Sequence, residues 1–193
     1  MMASSMCCCR RLSWISALAA LWLAVAAPLA ARADGIDVHR AAVITAEDGH
    51  TLEAEFEITL TSALEDVLNK GVPLYFSLEF ELIRPRWYWL NEKISSTRQQ
   101  YRLSYNALTR QYRVGVGKLY QNFASLPEGL AFMSRARIRD IAEAGALRKG
   151  DSYTAGLRMR LDTSQLPRPF QVTALGSRDW SMSSDWHRWT VSP

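Results

Sequence analysis

The stretch that decides the fold runs from Leu74 to Val114 and reads LYFSLEFELIRPRWYWLNEKISSTRQQYRLSYNALTRQYRV. Apolar side chains occupy alternate positions in its first part: Leu74, Phe76, Leu78, Phe80 and Leu82. The positions between them carry residues with polar groups: Tyr75, Ser77, Glu79 and Glu81. A period of two places each set on its own face, so the pattern predicts a long β-strand with one buried face. Pro85 ends this strand, because proline has no N–H group to donate to a sheet.

Two further strands follow in the same stretch. Residues 101–105 alternate between large and polar side chains, and residues 112–116 do the same after a turn at 106–109. Alternating segments joined by a short connection are typical of neighbouring antiparallel strands. The stretch therefore predicts the centre of an antiparallel sheet.

The segment before it predicts a hairpin and a short helix. Asp48 and Gly49 separate the alternating segments 36–46 and 51–60, and this dipeptide favours a tight turn because both of its residues tolerate positive φ. Residues 62–65 read Ser-Ala-Leu-Glu and fit a capping box with Ser62 as N-cap. We expect a helix over 63–70.

The C-terminal half continues the β pattern. A second short helix is expected to start at 125–128, a strand at 152–162, an extended segment at 166–169 and a last strand at 179–189. Residues 135–147 fit either a helix or a short strand. Seven or eight strands with two short helices predict a mainly β fold, an antiparallel β-sandwich or a half-open barrel, in a single β-rich domain over 34–193.

Residues 1–33 have the features of a secretory signal peptide. Arg10 and Arg11 precede an apolar run, and Ala31-Arg32-Ala33 forms a small-residue cleavage motif before Asp34. We therefore expect cleavage between Ala33 and Asp34 and a periplasmic protein. Secretion from the cell and an uncleaved membrane anchor are the alternatives, since the apolar run is just long enough to span a bilayer.

Removal of the signal changes the composition. The three cysteines, Cys7, Cys8 and Cys9, all precede the apolar run, so the expected mature chain has no disulfide and no cysteine nucleophile. Residues 34–193 carry 20 Lys and Arg against 19 Asp and Glu. A nearly neutral chain is a poor nucleic-acid ligand by charge, so a nucleic-acid partner is not expected.

Titratable side chains form no recognisable catalytic pattern. The three histidines (His39, His50 and His187) lack metal or relay spacing, and His50, beside the hairpin turn, is expected to be solvated. Acidic residues occur at alternate strand positions: Glu53, Glu55, Glu57, Glu79 and Glu81. They would suit a divalent cation or an acid pair, but outward arginines on neighbouring strands favour cross-strand ion pairs. No cofactor or metal is expected.

Arginine and tryptophan occur together in two clusters, which are the most distinctive feature of residues 34–193. We predict that they contribute partner or ligand contacts: Arg84, Arg86, Trp87, Trp89, Trp180 and Trp186. The alternative is a core capped by tryptophan rings with arginines stacked on them. Strand alternation would place Trp87 and Trp89 on opposite faces.

Three segments are similar to one family. They are residues 84–89 (RPRWYW), residues 103–113 (LSYNALTRQYR), and residues 166–170 (LPRPF) with Asp179-Trp180. The segments resemble the proteobacterial exported family known as domain of unknown function 4390. The resemblance implies no established activity and no catalytic residues. It implies a periplasmic accessory role, since genes of the family often lie beside a nitrogen-regulation-type sensor kinase.

These observations lead to one leading functional prediction and two others. The leading one is a non-enzymatic periplasmic interaction protein whose partner is an envelope protein, for example an envelope sensor kinase. The alternative is a carrier of lipid or another hydrophobic ligand, held between the inward faces of Phe56, Phe76, Phe80 and Leu82. An enzyme acting on envelope polymers, with Glu79, Glu81 or Asp185 as the acid, is the third.

Overall fold

The computed structural model describes residues 35–192, apart from 47–48, 87, 89–90, 144 and 149. Two antiparallel sheets contain the strands. The smaller has the order β1-β2-β7, with β1 at Gly35–Ala46, β2 at Gly49–Thr59 and β7 at Arg135–Ile138. The larger has the order β6-β5-β4-β3-β8-β9. Its strands are β3 (Leu74–Arg84), β4 (Glu92–Asn106), β5 (Gln111–Val116), β6 (Leu119–Phe123), β8 (Tyr153–Leu161) and β9 (His187–Val191).

The predicted fold class is confirmed: the chain is mainly β, with two antiparallel sheets that do not close into a barrel within the described residues. The part of the chain that the structure describes has three α-helices: α1 (Ser62–Asn69), α2 (Leu126–Met133) and α3 (Arg168–Gly176). The first two were expected. The third was not, and it begins inside the segment that was expected to be extended.

Strand β3 lies at the centre of the larger sheet and organises the core. It pairs with β4 on one side and β8 on the other. Its five alternating apolar residues, from Leu74 to Leu82, are at most 1% exposed, as the sequence predicts. They join one continuous hydrophobic core with β2, β8 and α1.

The predicted hairpin is confirmed by its register. Ala46 pairs with Gly49, and Gly49 has φ +138°, which only glycine adopts easily. Glu53, Glu55 and Glu57 lie on the outer face of this hairpin, while the residues between them are buried. Asp48 lies outside the described residues.

Helix α1 begins one residue earlier than predicted. The N-cap is Thr61, whose Oγ1 accepts a hydrogen bond from the Leu64 N–H at 3.4 Å. Ser62 is exposed and is the first helical residue, so the predicted capping box with Glu65 does not form. Thr61 takes the cap because its hydroxyl also donates to the Asp179 carbonyl at 2.9 Å, which a cap at Ser62 would not allow.

The C-terminal tail is less regular than a single strand. A 3₁₀ turn at Arg178–Trp180 is followed by an isolated bridge from Ser183 to Arg160, and β9 starts only at His187. The ambiguous segment after α2 forms β7, which pairs with β2. No helix in the described part of the chain has the length and apolar character needed to cross a bilayer.

Candidate functional site

The outer face of the larger sheet carries an unusual density of positive charge. Six arginines form what is called here the arginine face: Arg98 and Arg102 on β4, Arg113 on β5, Arg158 and Arg160 on β8, and Arg188 on β9. On β8 the two arginines alternate with fully buried residues, so they point away from the core. The outward residues of β3 add only two carboxylates, Glu79 and Glu81.

Glu79 lies at the centre of the arginine face and binds three of its arginines. Arg98 donates to its Oε1 at 2.8 Å and Arg158 to its Oε2 at 2.5 Å. Arg160 donates to Oε1 through Nε and Nη2, at 3.2 and 3.1 Å. The register explains this convergence, because Glu79 is opposite Arg98 on β4 and opposite Arg158 on β8. The predicted cross-strand ion pairs are therefore confirmed here.

The surroundings of Glu79 lower its pKa. The residue is only 9% exposed, and burial alone raises the pKa. The hydrogen bond from Arg158 and the charges of Arg160 and Arg158 outweigh burial, so the pKa of Glu79 falls below its ordinary value. The carboxylate stays ionised at neutral pH and leaves the arginine face with a net positive charge.

Trp186 is held on the arginine face between two guanidinium groups. Its ring centroid is 4.6 Å from the Arg158 guanidinium carbon and 5.7 Å from that of Arg188. The ring lies close to the sheet because Gly156 has no side chain. A Cβ at Gly156 would lie 3.1 Å from Glu81 Cγ and 3.3 Å from Trp186 Cε3. Trp186 is half-buried, so part of its surface is available to a partner.

A depression of about 380 Å³ lies at the β4–β5–β6 side of this face. Tyr75, Arg102 and Tyr120 line it, and Arg102 stacks on the Tyr75 ring at 5.7 Å. Gly115 lets the Tyr120 ring lie close against β5, because a Cβ there would lie 2.7 Å from Tyr120 Cε1. Arg102 has no ion pair among the residues that the structure describes. The depression thus combines an unpaired cation with two tyrosine rings.

Arg84 and Arg86, both predicted contacts, lie apart from the arginine face. Both donate to Glu92 Oε2, and Arg84 also donates to the Tyr153 hydroxyl at 3.0 Å. The hydrogen bond to Tyr153 raises the pKa of Arg84, and burial only partly opposes it. These contacts tie the end of β3 to β4 and β8, which is a structural role.

The predicted tryptophan contacts do not form one site. Trp180 is 5% exposed and stacks on Phe170 with a centroid distance of 5.8 Å, so it belongs to the core and offers no ring to a partner. Among the described residues, Trp186 is the one predicted contact that lies on the arginine face. Trp87 and Trp89 lie outside the described residues, as do the cleavage residues Ala31, Ala33 and Asp34.

His50 corrects an expectation drawn from the sequence. It is 4% exposed rather than solvated, because its Nδ1 bonds the Thr45 hydroxyl at 3.1 Å and its carbonyl accepts from the Ile141 N–H. Glu53 forms an ion pair with Arg137 and Glu81 with Lys93, and Glu57 Oε2 is hydrogen-bonded to His39 Nε2 at 2.9 Å. Within the described ranges, no three His, Cys, Asp or Glu residues lie close enough to hold a metal ion.

A second concave surface was not predicted from the sequence. It is a groove of about 500 Å³ on the inner side of the β4–β6 end of the larger sheet. Its apolar lining includes Tyr101, Val114, Val116, Leu119 and Phe132. Burial raises the pKa of Tyr101 to about 12, although a hydrogen bond from Gln99 opposes the shift. The groove exists because the six-stranded sheet is wider than the three-stranded one.

The fold and these two surfaces define a two-sheet antiparallel β domain with a cationic outer face. The chain matches the family described as domain of unknown function (DUF4390) over residues 33–190, and it belongs to that family. No curated protein and no solved structure gives a significant match.

Proposed function

We propose that this chain is an exported, non-enzymatic interaction protein that binds an acidic surface of an envelope protein through the arginine face. The observation that carries the proposal is that six arginines and the ring of Trp186 lie on one face of the larger sheet, to which the central strand β3 adds only two carboxylates. Its location in the periplasm is part of the proposal and follows from the signal-like residues 1–33.

The composition and rigidity of this face support protein binding. Arginine, tryptophan and tyrosine are the residues most enriched among strong contributors to protein interfaces. Paired strands present them in fixed positions, so little side-chain and backbone entropy is lost when a partner binds. An excess of positive charge also accelerates encounter with an acidic partner.

The state of Glu79 favours binding over catalysis. A carboxyl group that acts as a general acid at neutral pH needs a raised pKa, usually from an apolar environment. Burial raises the pKa of Glu79, but the hydrogen bonds and charges of Arg158 and Arg160 outweigh burial and lower the pKa below its ordinary value. Its carboxylate positions the arginines, which argues against Glu79, one of the three acids expected for an envelope hydrolase beside Glu81 and Asp185.

The carrier alternative has less support from the core. The side chains expected to surround a hydrophobic ligand, Phe56, Phe76, Phe80 and Leu82, are at most 5% exposed and belong to one continuous core. A ligand there would have to displace packed side chains, at a cost of several kcal/mol. Native mass spectrometry that detects a co-purified lipid would favour the carrier instead.

Charge reversal on the arginine face tests the proposal. Arg102 and Arg188 do not bind Glu79 and form no ion pair within the described residues, so replacing both by glutamate should leave the fold intact. We expect that an envelope protein crosslinks to the wild type in cells and that the variant no longer crosslinks to it. The extracytoplasmic domain of a sensor kinase is the first partner to test, on the basis of the family resemblance.

A matched control changes the same net charge elsewhere. Arg139 and Arg168 are exposed and lie outside the arginine face, so Arg139→Glu with Arg168→Glu should retain the partner. Circular dichroism and thermal melts of both variants establish that each is folded. Equal recovery of the partner by the two folded variants would show that the arginine face is not the contact surface.

A further inference from the structure

Strand β6 is one of the two edge strands of the larger sheet, and unlike the other one, β9, it carries no charged residue. It pairs only with β5 and ends the sheet at that side, within the described part of the chain. Its sequence, LYQNF, has no charged residue, and its positions are exposed or half-buried. Hydrogen-bonded pairs alternate along an antiparallel ladder, so every second residue of β6 directs its N–H and C=O groups away from β5.

Proteins usually protect such an edge with a lysine, a proline or a covering element. Here large apolar side chains are exposed beside it: Leu119 at 78%, Tyr120 at 58% and Phe132 on α2 at 38%. Leu119 and Phe132 also line the 500 Å³ groove, which opens next to the edge. An extended chain laid along β6 would therefore bond its backbone to the edge and bury alternate side chains in the groove.

Positive charge lies on both sides of this edge. On the outer side, Arg113 reaches over β6 and donates from Nε to Asn122 Oδ1 at 2.9 Å, which leaves its terminal N–H groups for another acceptor. On the groove side, Arg135 has no ion pair among the described residues. A strand added at the usual spacing of about 4.8 Å would place its outward side chains beside Arg113.

We propose that β6 and the groove beside it bind an extended segment of a partner protein as a seventh strand of the larger sheet. The segment has apolar side chains at alternate positions, which enter the groove, and carboxylates between them, which face Arg113. This surface shares Arg113 with the arginine face but does not include Glu79, Trp186, Arg102 or Arg188, so the experiments on Leu119 test the inference separately from the proposed function.

Two other occupants fit the observations less well. A lipid would fill the groove but could not satisfy the backbone groups at the edge of β6. A second copy could pair β6 with β6, but that strand carries no carboxylate and would bring the cations of both copies together. An extended acidic and apolar segment meets the backbone, apolar and charge requirements at once.

A peptide titration tests the inference. The probe is a capped peptide of about seven residues that alternates valine and glutamate, close to the length of an ordinary strand. We expect saturable binding to the purified protein, with ¹⁵N amide shifts confined to β6 and the groove. A peptide of alternating valine and lysine should bind more weakly, and N-methylation of alternate amides in the probe should reduce binding.

The matched variants are Leu119→Lys and Leu108→Lys. Both leucines are exposed, but Leu108 lies in the turn between β4 and β5, away from the groove. Leu119→Lys places a charge on the edge and should reduce the affinity for the probe peptide by about tenfold, whereas Leu108→Lys should leave that affinity unchanged.

Three results would overturn the inference. The first is that the probe peptide does not bind, or that it binds a folded Leu119→Lys variant as tightly as the wild type. The second is that laurate, but not the peptide, shifts the amide signals of the groove, which would make the groove a lipid site. The third is concentration-dependent dimerisation that Leu119→Lys abolishes, which would assign the edge to a second copy.

Discussion

At the scale of single residues, Glu79 is the most consequential side chain of the larger sheet. Its carboxylate is contacted by arginines from two different strands, β4 and β8, and the group is 9% exposed. Without the carboxylate, three guanidinium groups would repel one another across one strand. Glu79 therefore holds the arginine face together as well as lowering its net charge.

Replacement of Glu79 by glutamine should destabilise the protein by about 1–3 kcal/mol, because the amide keeps the size of the side chain but removes its charge. The free energy of unfolding from urea melts measures the change. Glu81→Gln on the same strand is the control. Among the described residues Glu81 pairs only with Lys93, at 3.7 Å, and such a pair contributes about 0–1 kcal/mol. Equal losses of stability in Glu79→Gln and Glu81→Gln would contradict the stabilising role of Glu79 in the arginine face.

The same two variants should differ in their response to pH. The pKa of Glu79 is lower in the folded than in the unfolded chain, so its stabilising effect is present above the unfolded pKa of about 4.3. It is lost as the pH falls through that value towards the folded pKa. The stability gap between wild type and Glu79→Gln should therefore be full at pH 7 and shrink below about pH 4.3. A stability gap that widens on acidification would show that folding raises the pKa of Glu79 rather than lowering it.

The sequence predicts only part of this site. Alternation in β3, β4 and β8 correctly places Glu79 and its arginines on outward faces. The convergence on one carboxylate depends on strand register, and β8 is separated from β3 by some 70 residues of intervening chain. Local pattern carries no information on that register. The position of Trp186 depends in addition on the missing side chain of Gly156 on another strand.

At the scale of secondary-structure elements, helix α1 shows how tertiary contacts choose between adjacent residues. Local sequence favours Ser62 as the N-cap, since it precedes Glu65 by three residues. The structure uses Thr61, whose hydroxyl also bonds the Asp179 carbonyl from a segment far along the chain. The cap therefore links α1 to the C-terminal tail.

Thr61→Ala should cost about 1–2 kcal/mol of stability, because the helix loses its cap and the Asp179 carbonyl loses a donor. Ser62→Ala should change stability by about 0.5 kcal/mol or less, since Ser62 is exposed. Chemical denaturation of the two variants distinguishes the residues. A larger loss of stability in Ser62→Ala would show that Ser62, and not Thr61, caps the helix.

Two elements, β6 and α3, could not be predicted from the sequence, each for its own physical reason. Strand β6 is short, uncharged and exposed, so it lacks the contrast between buried and exposed positions that reveals a strand. Helix α3 was missed because Pro167 and Pro169 indicate extended backbone. They lie just before the helix and in its first turn, where proline is tolerated.

At the scale of the whole molecule, the unequal width of the two sheets is the main feature. Three strands cannot cover the inner face of six, so the β4–β6 end remains open and forms the groove. The outer face of the wider sheet has no covering layer among the described elements at the positions of its arginines. The groove therefore follows from this mismatch in width, whereas the arginine face follows from the lack of a covering layer among the described elements.

The protein is predicted to be exported and cleaved after Ala33. The A-x-A motif predicts that the protein isolated from cells begins at Asp34, after removal of Ala33 and the residues before it. N-terminal sequencing or intact mass of the protein recovered from a periplasmic extract checks this. A chain that begins at Met1 and fractionates with membranes would show that the segment is retained as an anchor.

The place of β3 in the sheet has a consequence for how the chain folds during synthesis. Strand β3 pairs with β4 through a local hairpin, but its other partner, β8, is made only after about 70 further residues. Until β8 arrives, the longest apolar strand of the protein is an open edge. Such an edge is prone to pair with other chains, and closing it late requires a long loop to form. A nascent chain that stops short of Tyr153 is therefore the species most in need of a chaperone.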